Sequence, residues 1–188
     1  MIKIGITGSL SSGKTTASKF LSNKRGPLFN ADAVVRKLYQ NKSFKSKISK
    51  KFKIENNNHI KHSIKKLVFT NKNKLRKLEK IIHPIVRREM RKFTIMNRNK
   101  KFLFYEIPLL IESKLMKFFD VIIFIKSKKK LRMRRFKKKK GDNKLFNFLN
   151  KQQLNDKKKT KFCDYVVVNE KNLKILKKNL LLIIRNYE

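Results

Sequence analysis

Continuous apolar runs and apolar residues at helical spacing divide the chain into predicted strands and helices. Five short runs are almost wholly apolar, which is typical of strands buried on both faces of a parallel sheet. These runs lie at residues 2–7, 28–29, 102–106, 120–125 and 164–169. Stretches with helical spacing lie between the runs, and strands that alternate with helices form parallel sheets with helices on both faces. The pattern therefore predicts an α/β fold with a five-stranded parallel sheet flanked by helices.

The longest helical region runs from about residue 43 to residue 98. Phe44, Ile48 and Phe52 share one helical face. A second face continues through Leu75, Leu78, Ile81, Ile82, Ile85, Val86 and Met90. Because proline lacks an N–H and pushes the preceding residue out of the α region, His83-Pro84 is predicted to interrupt this helix. The position of His83 alone does not favour a ligand contact over a structural role.

The last third of the chain carries a basic helix and two further helical stretches. Ser127 is a candidate N-cap for a helix that ends in the run Lys137–Lys140. Gly141-Asp142 predicts the end of that helix. Further helices are predicted at about 145–154 and 171–184 from their apolar spacing.

Composition limits the kind of protein. A chain of 188 residues is long enough to bury the core of one domain. Its best apolar run, Leu180–Ile184, is far too short to span a membrane. The single cysteine, Cys163, excludes an internal disulfide and is typical of a reducing compartment. We therefore expect a cytoplasmic protein that does not bind membranes.

The charge balance is extreme, with 52 Lys and Arg against 12 Asp and Glu and a formal net charge of +40. Such a charge suits binding to the phosphate backbone of nucleic acids. The lysines, however, are spread along the whole chain, and the abundant residue types Lys, Asn, Ile and Phe share A/T-rich codons. Biased nucleotide composition therefore explains the charge better than a nucleic-acid function. We expect non-specific nucleic-acid binding as a by-product.

A phosphate-binding motif lies between the first predicted strand and the first predicted helix. The motif, G-x-x-x-x-G-K-[ST], is matched by Gly8-Ser9-Leu10-Ser11-Ser12-Gly13-Lys14-Thr15. The backbone N–H groups of such a loop and the helix N-terminus bind phosphate oxygens. Lys14 can reach the β- and γ-phosphates, and the Thr15 hydroxyl can ligate Mg²⁺. The sequence therefore predicts a bound nucleotide phosphate.

Asp32 stands where the second predicted strand ends and a helix, from Ala33 to about Tyr39, begins. The carboxyl ends of parallel strands line the ligand crevice of such folds, which favours a functional role. Aspartate is also an ordinary helix N-cap. Position alone favours neither interpretation.

Further motifs follow one another along the chain. They are Ala31-Asp32, His83-Pro84-Ile85-Val86-Arg87, Pro108-Leu109-Leu110-Ile111-Glu112 and Asp164-Tyr165-Val166-Val167-Val168-Asn169. Together with the phosphate loop they resemble the dephospho-coenzyme A kinase family over essentially the whole chain. The phosphate loop is shared with many kinases, whereas His-Pro followed by Pro-Leu-Leu-Ile-Glu is more specific. The resemblance implies a three-layer P-loop kinase fold. It also implies transfer of the γ-phosphoryl of ATP to the ribose 3′-hydroxyl of dephospho-coenzyme A, the last step of coenzyme A biosynthesis.

The resemblance also implies roles for single residues. Asp32 would accept the proton of the attacking hydroxyl, Lys14 would neutralise charge on the transferred phosphoryl, and Thr15 would hold Mg²⁺. The ATP-binding residues would be Gly8, Ser9, Leu10, Ser11, Ser12, Gly13, Lys14, Thr15, Thr16, Arg135 and Asn169. The acceptor side would be lined by Asp32, His83, Arg87, Pro108, Leu109 and Leu110.

The domain organisation that the resemblance implies is a single P-loop kinase domain over residues 1–188. Its core would comprise about 1–40, 100–130 and 160–188, with a helical substrate-binding insertion at about 41–99 and a lid at about 131–159. The implied ligands are ATP, Mg²⁺ and dephospho-coenzyme A. We expect a monomer without a specific nucleic-acid partner.

The chain departs from the family pattern at several positions. Ser9 and Ser11 stand where glycine is usual in the loop, and Asn30 stands where an aspartate is usual. Glu106 occupies a place where aspartate is common, which changes its reach toward Mg²⁺. In the lid, Lys139-Lys140-Gly141 replaces an Arg-Asp pair, and lysine lacks the planar fork of arginine. We therefore expect weaker lid closure with activity retained.

Other functions stay open on the sequence alone. A nucleoside or nucleotide kinase with the same sheet would phosphorylate a different acceptor. A nucleic-acid-binding P-loop protein would show an ATPase stimulated by RNA or DNA and a steep salt dependence. A GTPase is not favoured, because the sequence has no Asn-Lys-x-Asp stretch. The joint presence of Lys14, Thr15 and Asp32 argues against an inactive family member.

Overall fold

The computed structural model describes residues 1–188, apart from the side chain of Thr70. The strands are β1 (Ile2–Gly8), β2 (Leu28–Asn30), β3 (Phe102–Glu106), β4 (Val121–Lys126) and β5 (Tyr165–Val168). The helices are α1 (Lys14–Ser22), α2 (Ala31–Leu38), α3 (Lys42–Phe52), α4 (Ile60–Thr70), α5 (Lys72–Met96), α6 (Lys129–Lys138), α7 (Asn143–Gln152), α8 (Asp156–Thr160) and α9 (Leu173–Arg185). A short 3-10 helix, Met116–Phe118, lies between β3 and β4.

Within the described residues, the strands form one parallel sheet of five strands in the order β2-β3-β1-β4-β5. The predicted α/β fold is therefore confirmed. Because β1 is the middle strand, the phosphate loop begins at the centre of the carboxyl edge of the sheet. Glu106 at the end of β3 is in register with Ile6 of β1 on one side and with Asn30 of β2 on the other. The polar ends of β2 and β3 are thereby brought beside the loop.

Helices α1 and α9 cover one face of the sheet. Their apolar residues pack against inward residues of β1, β3 and β4 in one buried cluster, in which Ile4, Ile6 and Leu21 have no exposed surface. Full burial of such a side chain contributes about 1.5–3 kcal/mol. Tyr105 belongs to a second contact group, since its ring meets those of Phe118 and Phe119 and its hydroxyl bonds the Thr94 hydroxyl at 2.7 Å.

The chain divides into two compact units. Met1–Asn30 and Thr94–Glu188 form the first unit, and Ala31–Phe93 form the second. The first unit contains the sheet, and the second contains α2, α3, α4 and most of α5. The core of the second unit comprises Phe44, Ile48, Ile60, Ile64, Leu78 and Ile82. The face predicted at Phe44 and Ile48 is therefore buried, as its spacing indicated.

The predicted interruption at His83-Pro84 is wrong, because α5 continues through Pro84 to Met96. Pro84 removes one hydrogen bond, the one its N–H would have donated to the carbonyl of Lys80. Pro84 and Lys80 are both exposed, so water can reach the carbonyl oxygen of Lys80. Leu78 and Ile82 are buried on the opposite side, and this burial holds the helix together across the missing bond.

The predicted N-cap role of Ser127 is also wrong. The N-cap of α6 is Lys128, whose side chain makes no capping hydrogen bond. Ser127 is 3% exposed, and its hydroxyl oxygen accepts a hydrogen bond from Arg135 Nη1 at 3.1 Å. None of the helices among the described residues is both long and apolar enough to cross a lipid bilayer.

Candidate active site

The phosphate loop turns sharply between β1 and α1, and glycine makes the turn possible. The backbone φ angle is 149° at Gly8 and 103° at Gly13, a range that side chains rarely adopt. A Cβ atom at Gly8 would collide with the carbonyl oxygen of Ile125, and one at Gly13 would collide with the side chain of Asn169. The two glycines of the motif are therefore required by both conformation and space.

Lys14 begins α1, and its side chain is buried against the loop. Its Nζ donates hydrogen bonds to the carbonyl oxygens of Gly8 at 3.0 Å and of Ser9 at 2.9 Å. The ammonium group is thus fixed beside the loop rather than extended into solvent. Together with the partial positive charge at the N-terminus of α1, it creates the potential that binds phosphate oxygens.

Glu106 is the buried carboxylate of the site. Its side chain accepts hydrogen bonds from Thr15 Oγ1 at 2.5 Å, from Asn30 Nδ2 at 2.5 Å and from Ser18 Oγ at 3.0 Å. The arrangement brings a carboxylate and a hydroxyl oxygen together at the loop. These are hard oxygen ligands, of the kind that Mg²⁺ takes alongside water and phosphate oxygens. Sequence reasoning treated Glu106 only as a departure from the family pattern, whereas the structure makes it a central residue.

Arg135 and Asn169 both donate hydrogen bonds to the phosphate loop at Ser12. Arg135 donates from Nη1 to the Ser12 carbonyl at 3.3 Å and from Nη2 to the Asn169 carbonyl at 3.0 Å. The Asn169 amide donates to the same Ser12 carbonyl at 2.8 Å. The structure therefore brings these two sequence-predicted residues together with the phosphate loop.

Arg132 is a site residue that sequence reasoning missed. Its guanidinium donates to the Asn150 side chain at 2.8 Å and to the Leu10 carbonyl at 3.4 Å, and its side chain is buried. Burial lowers the pKa of Arg132, and the Asp156 carboxylate opposes this effect. The available signal was its spacing, because Arg132 and Arg135 lie three residues apart on one helix and so share a face.

A second group of contacts to the loop comes from residues 153–159, here named the anchor segment. Gln153 Oε1 accepts a hydrogen bond from the Leu10 N–H at 3.1 Å. The Ser9 hydroxyl bonds the carboxylate of Asp156. The sequence analysis assigned no role to Asp156, which precedes a run of three lysines. Ser9 is one of the two loop serines at positions where the resemblance implied glycine.

The turn that follows β3 lies close to the end of β1. The Thr7 hydroxyl donates to the carbonyl oxygen of Pro108 at 3.2 Å. Leu110 is fully buried, whereas Pro108 and Leu109 are half-buried. The first unit therefore holds the phosphate loop and the Pro108–Leu110 turn on adjacent strands.

Asp32, His83 and Arg87 belong to the second unit. Asp32 is an exposed residue in the first turn of α2, so it is not an N-cap, although its charge suits that end of a helix. Burial lowers the pKa of His83, an effect that Arg87 reinforces and Glu79 opposes. The lowered pKa favours the neutral form of His83 at pH 7, and Arg87 on the same helix is exposed.

Comparison with known proteins places the chain among kinases. The family model described as CoaE, dephospho-CoA kinase, matches residues 2–174. The dephospho-CoA kinase of Bartonella quintana is 33% identical, over 97% of this chain and 96% of its own. That of Fusobacterium nucleatum is 34% identical, over 94% of each chain.

Solved structures share the fold of this chain. A protein of Thermus thermophilus is 25% identical and superposes with a TM-score of 0.83, over 100% of this chain and 98% of its own. The dephospho-CoA kinase of Campylobacter jejuni has a TM-score of 0.64 at 21% identity, over 99% of this chain and 97% of its own. At 21% identity, the resemblance to the Campylobacter jejuni enzyme shows only that the fold is shared. On the family match and the full-length relatives, the chain belongs to the dephospho-CoA kinase family.

Proposed function

We propose that this chain transfers the γ-phosphoryl of ATP to the ribose 3′-hydroxyl of dephospho-coenzyme A, giving coenzyme A. This is the reaction of the family to which the chain belongs. The observation that carries the proposal is the phosphate loop, in which Lys14 is fixed by the carbonyls of Gly8 and Ser9. Phosphoryl transfer relies on positioning and on charge stabilisation, and the loop supplies both.

On the ATP side, we assign the residues of the first unit. Lys14 and the backbone N–H groups of residues 8–16 bind the phosphates, and Lys14 neutralises the charge that develops on the transferred group. Arg135 adds a fixed cation at the Ser12 carbonyl, and Asn169 contributes to nucleotide binding from the end of β5. The same loop requires glycine at Gly8 and Gly13, so its backbone approaches the phosphates closely.

Mg²⁺ fits the oxygen ligands at the loop. Thr15 and Glu106 would hold it, the first through its hydroxyl and the second through its carboxylate. When bound, Mg²⁺ supplies positive charge to the phosphate oxygens. Asn30 and Ser18 both donate hydrogen bonds to Oε2 of Glu106, and this orientation directs Oε1 at the Thr15 hydroxyl.

On the acceptor side, Asp32 is the proposed general base. It follows the end of β2 by two residues and is exposed, so a substrate hydroxyl can reach its carboxylate. His83, Arg87 and the Pro108–Leu110 turn are the proposed acceptor-binding residues. Burial lowers the pKa of His83, which favours a neutral hydrogen-bonding group, whereas Arg87 offers a cation to a phosphate.

These assignments imply a different role for each of three parts of the chain. We propose residues 41–99 as the acceptor-binding insertion, residues 131–159 as the lid over ATP, and the rest as the core. A lid excludes water, which would otherwise accept the γ-phosphoryl. We also propose a cytoplasmic monomer, because strong positive charge opposes self-association.

The experiment that tests this function is a substrate panel with purified protein, ATP and Mg²⁺. Dephospho-coenzyme A, AMP, deoxyadenosine and shikimate are offered one at a time, and the products are identified by mass spectrometry. We expect ATP-dependent phosphorylation of dephospho-coenzyme A alone, lost in Lys14→Ala and retained in the exposed-site control Lys129→Ala. Phosphorylation of another acceptor instead, or ATP hydrolysis stimulated by RNA or DNA without transfer, would contradict the proposal.

A further inference from the structure

A buried ion pair joins the turn after β3 to the anchor segment. Lys159 Nζ lies 2.7 Å from Glu112 Oε1, and the two side chains are 0% and 16% exposed. The same carboxylate oxygen accepts a hydrogen bond from the backbone N–H of Leu154 at 3.1 Å. A buried ion pair is weak support for net stability, because the desolvation of both charges offsets their attraction. Its best-attested use in proteins is to fix one arrangement of two segments.

The other contacts of the anchor segment are with the phosphate loop. Gln153 accepts from the Leu10 N–H, and Asp156 bonds the Ser9 hydroxyl. Asp156 begins α8 and Lys159 lies within it, and the N-cap of this helix, Asn155, accepts from the Lys158 N–H at 2.8 Å. One short, capped segment therefore contacts the ATP-binding loop through Gln153 and Asp156, and it contacts the turn that carries Pro108–Leu110 through Leu154 and Lys159.

We propose that Glu112 and Lys159 are a positioning pair, which fixes the Pro108–Leu110 turn relative to the phosphate loop and thereby aligns the acceptor with the γ-phosphoryl. This rests on the proposed function. In-line transfer requires the reacting atoms to be held about 3–3.5 Å apart with aligned orbitals. Both residues act through the loop and the turn that they connect, so they are positioning residues rather than catalytic ones.

The first test variant is Lys159→Met, which removes the cation and leaves the Glu112 carboxylate buried. We expect kcat for transfer to fall by about 100-fold, the effect of a small misplacement. The dissociation constant of ATP should change little, because the variant leaves Lys14 and the loop glycines in place. Hydrolysis of ATP relative to transfer should rise, since water competes better with a misaligned acceptor. A purely structural role would lower the melting temperature and leave the hydrolysis-to-transfer ratio unchanged.

The double variant E112L/K159M carries the test if the single variant does not fold. It removes both charges, and such replacements in protein interiors are often neutral or stabilising. We expect it to fold, to bind ATP, and still to show the reduced kcat and the raised hydrolysis ratio. The control is Lys128→Met, which removes the exposed partner of a 3.3 Å ion pair with Glu170 and should retain the wild-type kcat and ratio.

The outcomes separate this proposal from the function on which it rests. Wild-type kcat and a wild-type hydrolysis ratio in either folded variant would overturn the positioning role while leaving the function intact. A wild-type protein that binds ATP but never phosphorylates dephospho-coenzyme A would overturn the function itself. Reduced kcat with a raised ratio in the double variant, beside a normal Lys128→Met control, would support the pair as a positioning device.

Discussion

Ser9 and Ser11 are the two loop positions at which the resemblance implied glycine, and they differ in backbone conformation and contacts. Ser9 keeps a negative φ angle, and its hydroxyl bonds Asp156 of the anchor segment. Ser11 has a φ angle of 57°, in the left-handed region that favours glycine. The loop therefore gains a contact at Ser9 and carries conformational strain at Ser11.

We expect Ser11→Gly to raise the free energy of unfolding by about 1 kcal/mol, because a left-handed conformation costs a non-glycine residue that much or more. Denaturant unfolding measures the change. The matched control is Ser46→Gly within α3, where the same substitution should lower stability because glycine is a poor helix former. A loss of stability in Ser11→Gly would contradict the assignment of strain.

Part of the site could be read from single residues, and part could not. Lys14 and Thr15 follow from a motif whose chemistry is contained in eight consecutive residues. Glu106 gains its role from strand register, because β3 lies between β1 and β2 and thereby presents it to both Thr15 and Asn30. A register of this kind joins residues that are 76 and 91 positions apart, and no local pattern encodes it.

Among the elements, α5 shows where local propensity is overridden by packing. Proline is unfavourable in the interior of a helix, and the sequence therefore predicted a break at His83-Pro84. The buried face of Leu78 and Ile82 supplies more free energy than the single lost hydrogen bond costs, and Pro84 lies on the exposed side. The apolar spacing predicted the helix correctly, and only the interruption was wrong.

Pro84→Ala should therefore stabilise the second unit. Restoring the N–H donor to the Lys80 carbonyl and removing the proline ring should raise the free energy of unfolding by up to about 3 kcal/mol. Urea unfolding followed by circular dichroism checks the prediction. A decrease would mean that the proline ring contributes packing that alanine cannot replace.

Helix α8 is an element that the sequence pattern did not predict. It is only five residues long, Asp156–Thr160, and is lysine-rich, so no apolar period predicts it. Its position depends on the Asn155 cap, on Asp156 at the loop and on Lys159 at Glu112. Such tertiary contacts become visible only in the folded chain.

For the whole molecule, the +40 charge is the dominant feature beyond the fold. The described ion pairs are few, and most have at least one exposed side chain, so they contribute little. The structure thus contains little local compensation for the excess of lysine. Repulsion among like charges should destabilise the compact state at low ionic strength.

We expect the melting temperature to rise when NaCl is raised from about 0.01 M to about 0.15 M, because the screening length falls from about 30 Å to about 8 Å. Chloride is preferred to phosphate or sulfate, since those anions would also bind the phosphate loop. Sucrose over the same molar range serves as the uncharged control. An unchanged or falling melting temperature would show that charge repulsion is not a major destabilising contribution.

The most direct test of the whole account is the rate of a single turnover in Asp32→Asn, with dephospho-coenzyme A and excess protein. We predict that the transfer rate falls by about 10²–10⁴-fold, the contribution of a general base, while the dissociation constant of ATP stays near that of the wild type. The control is Asp120→Asn, an exposed residue at the amino edge of the sheet whose contact with the Lys3 N–H an asparagine oxygen can retain. A wild-type transfer rate in Asp32→Asn would contradict the account, because the acceptor hydroxyl would then lose its proton without this carboxylate.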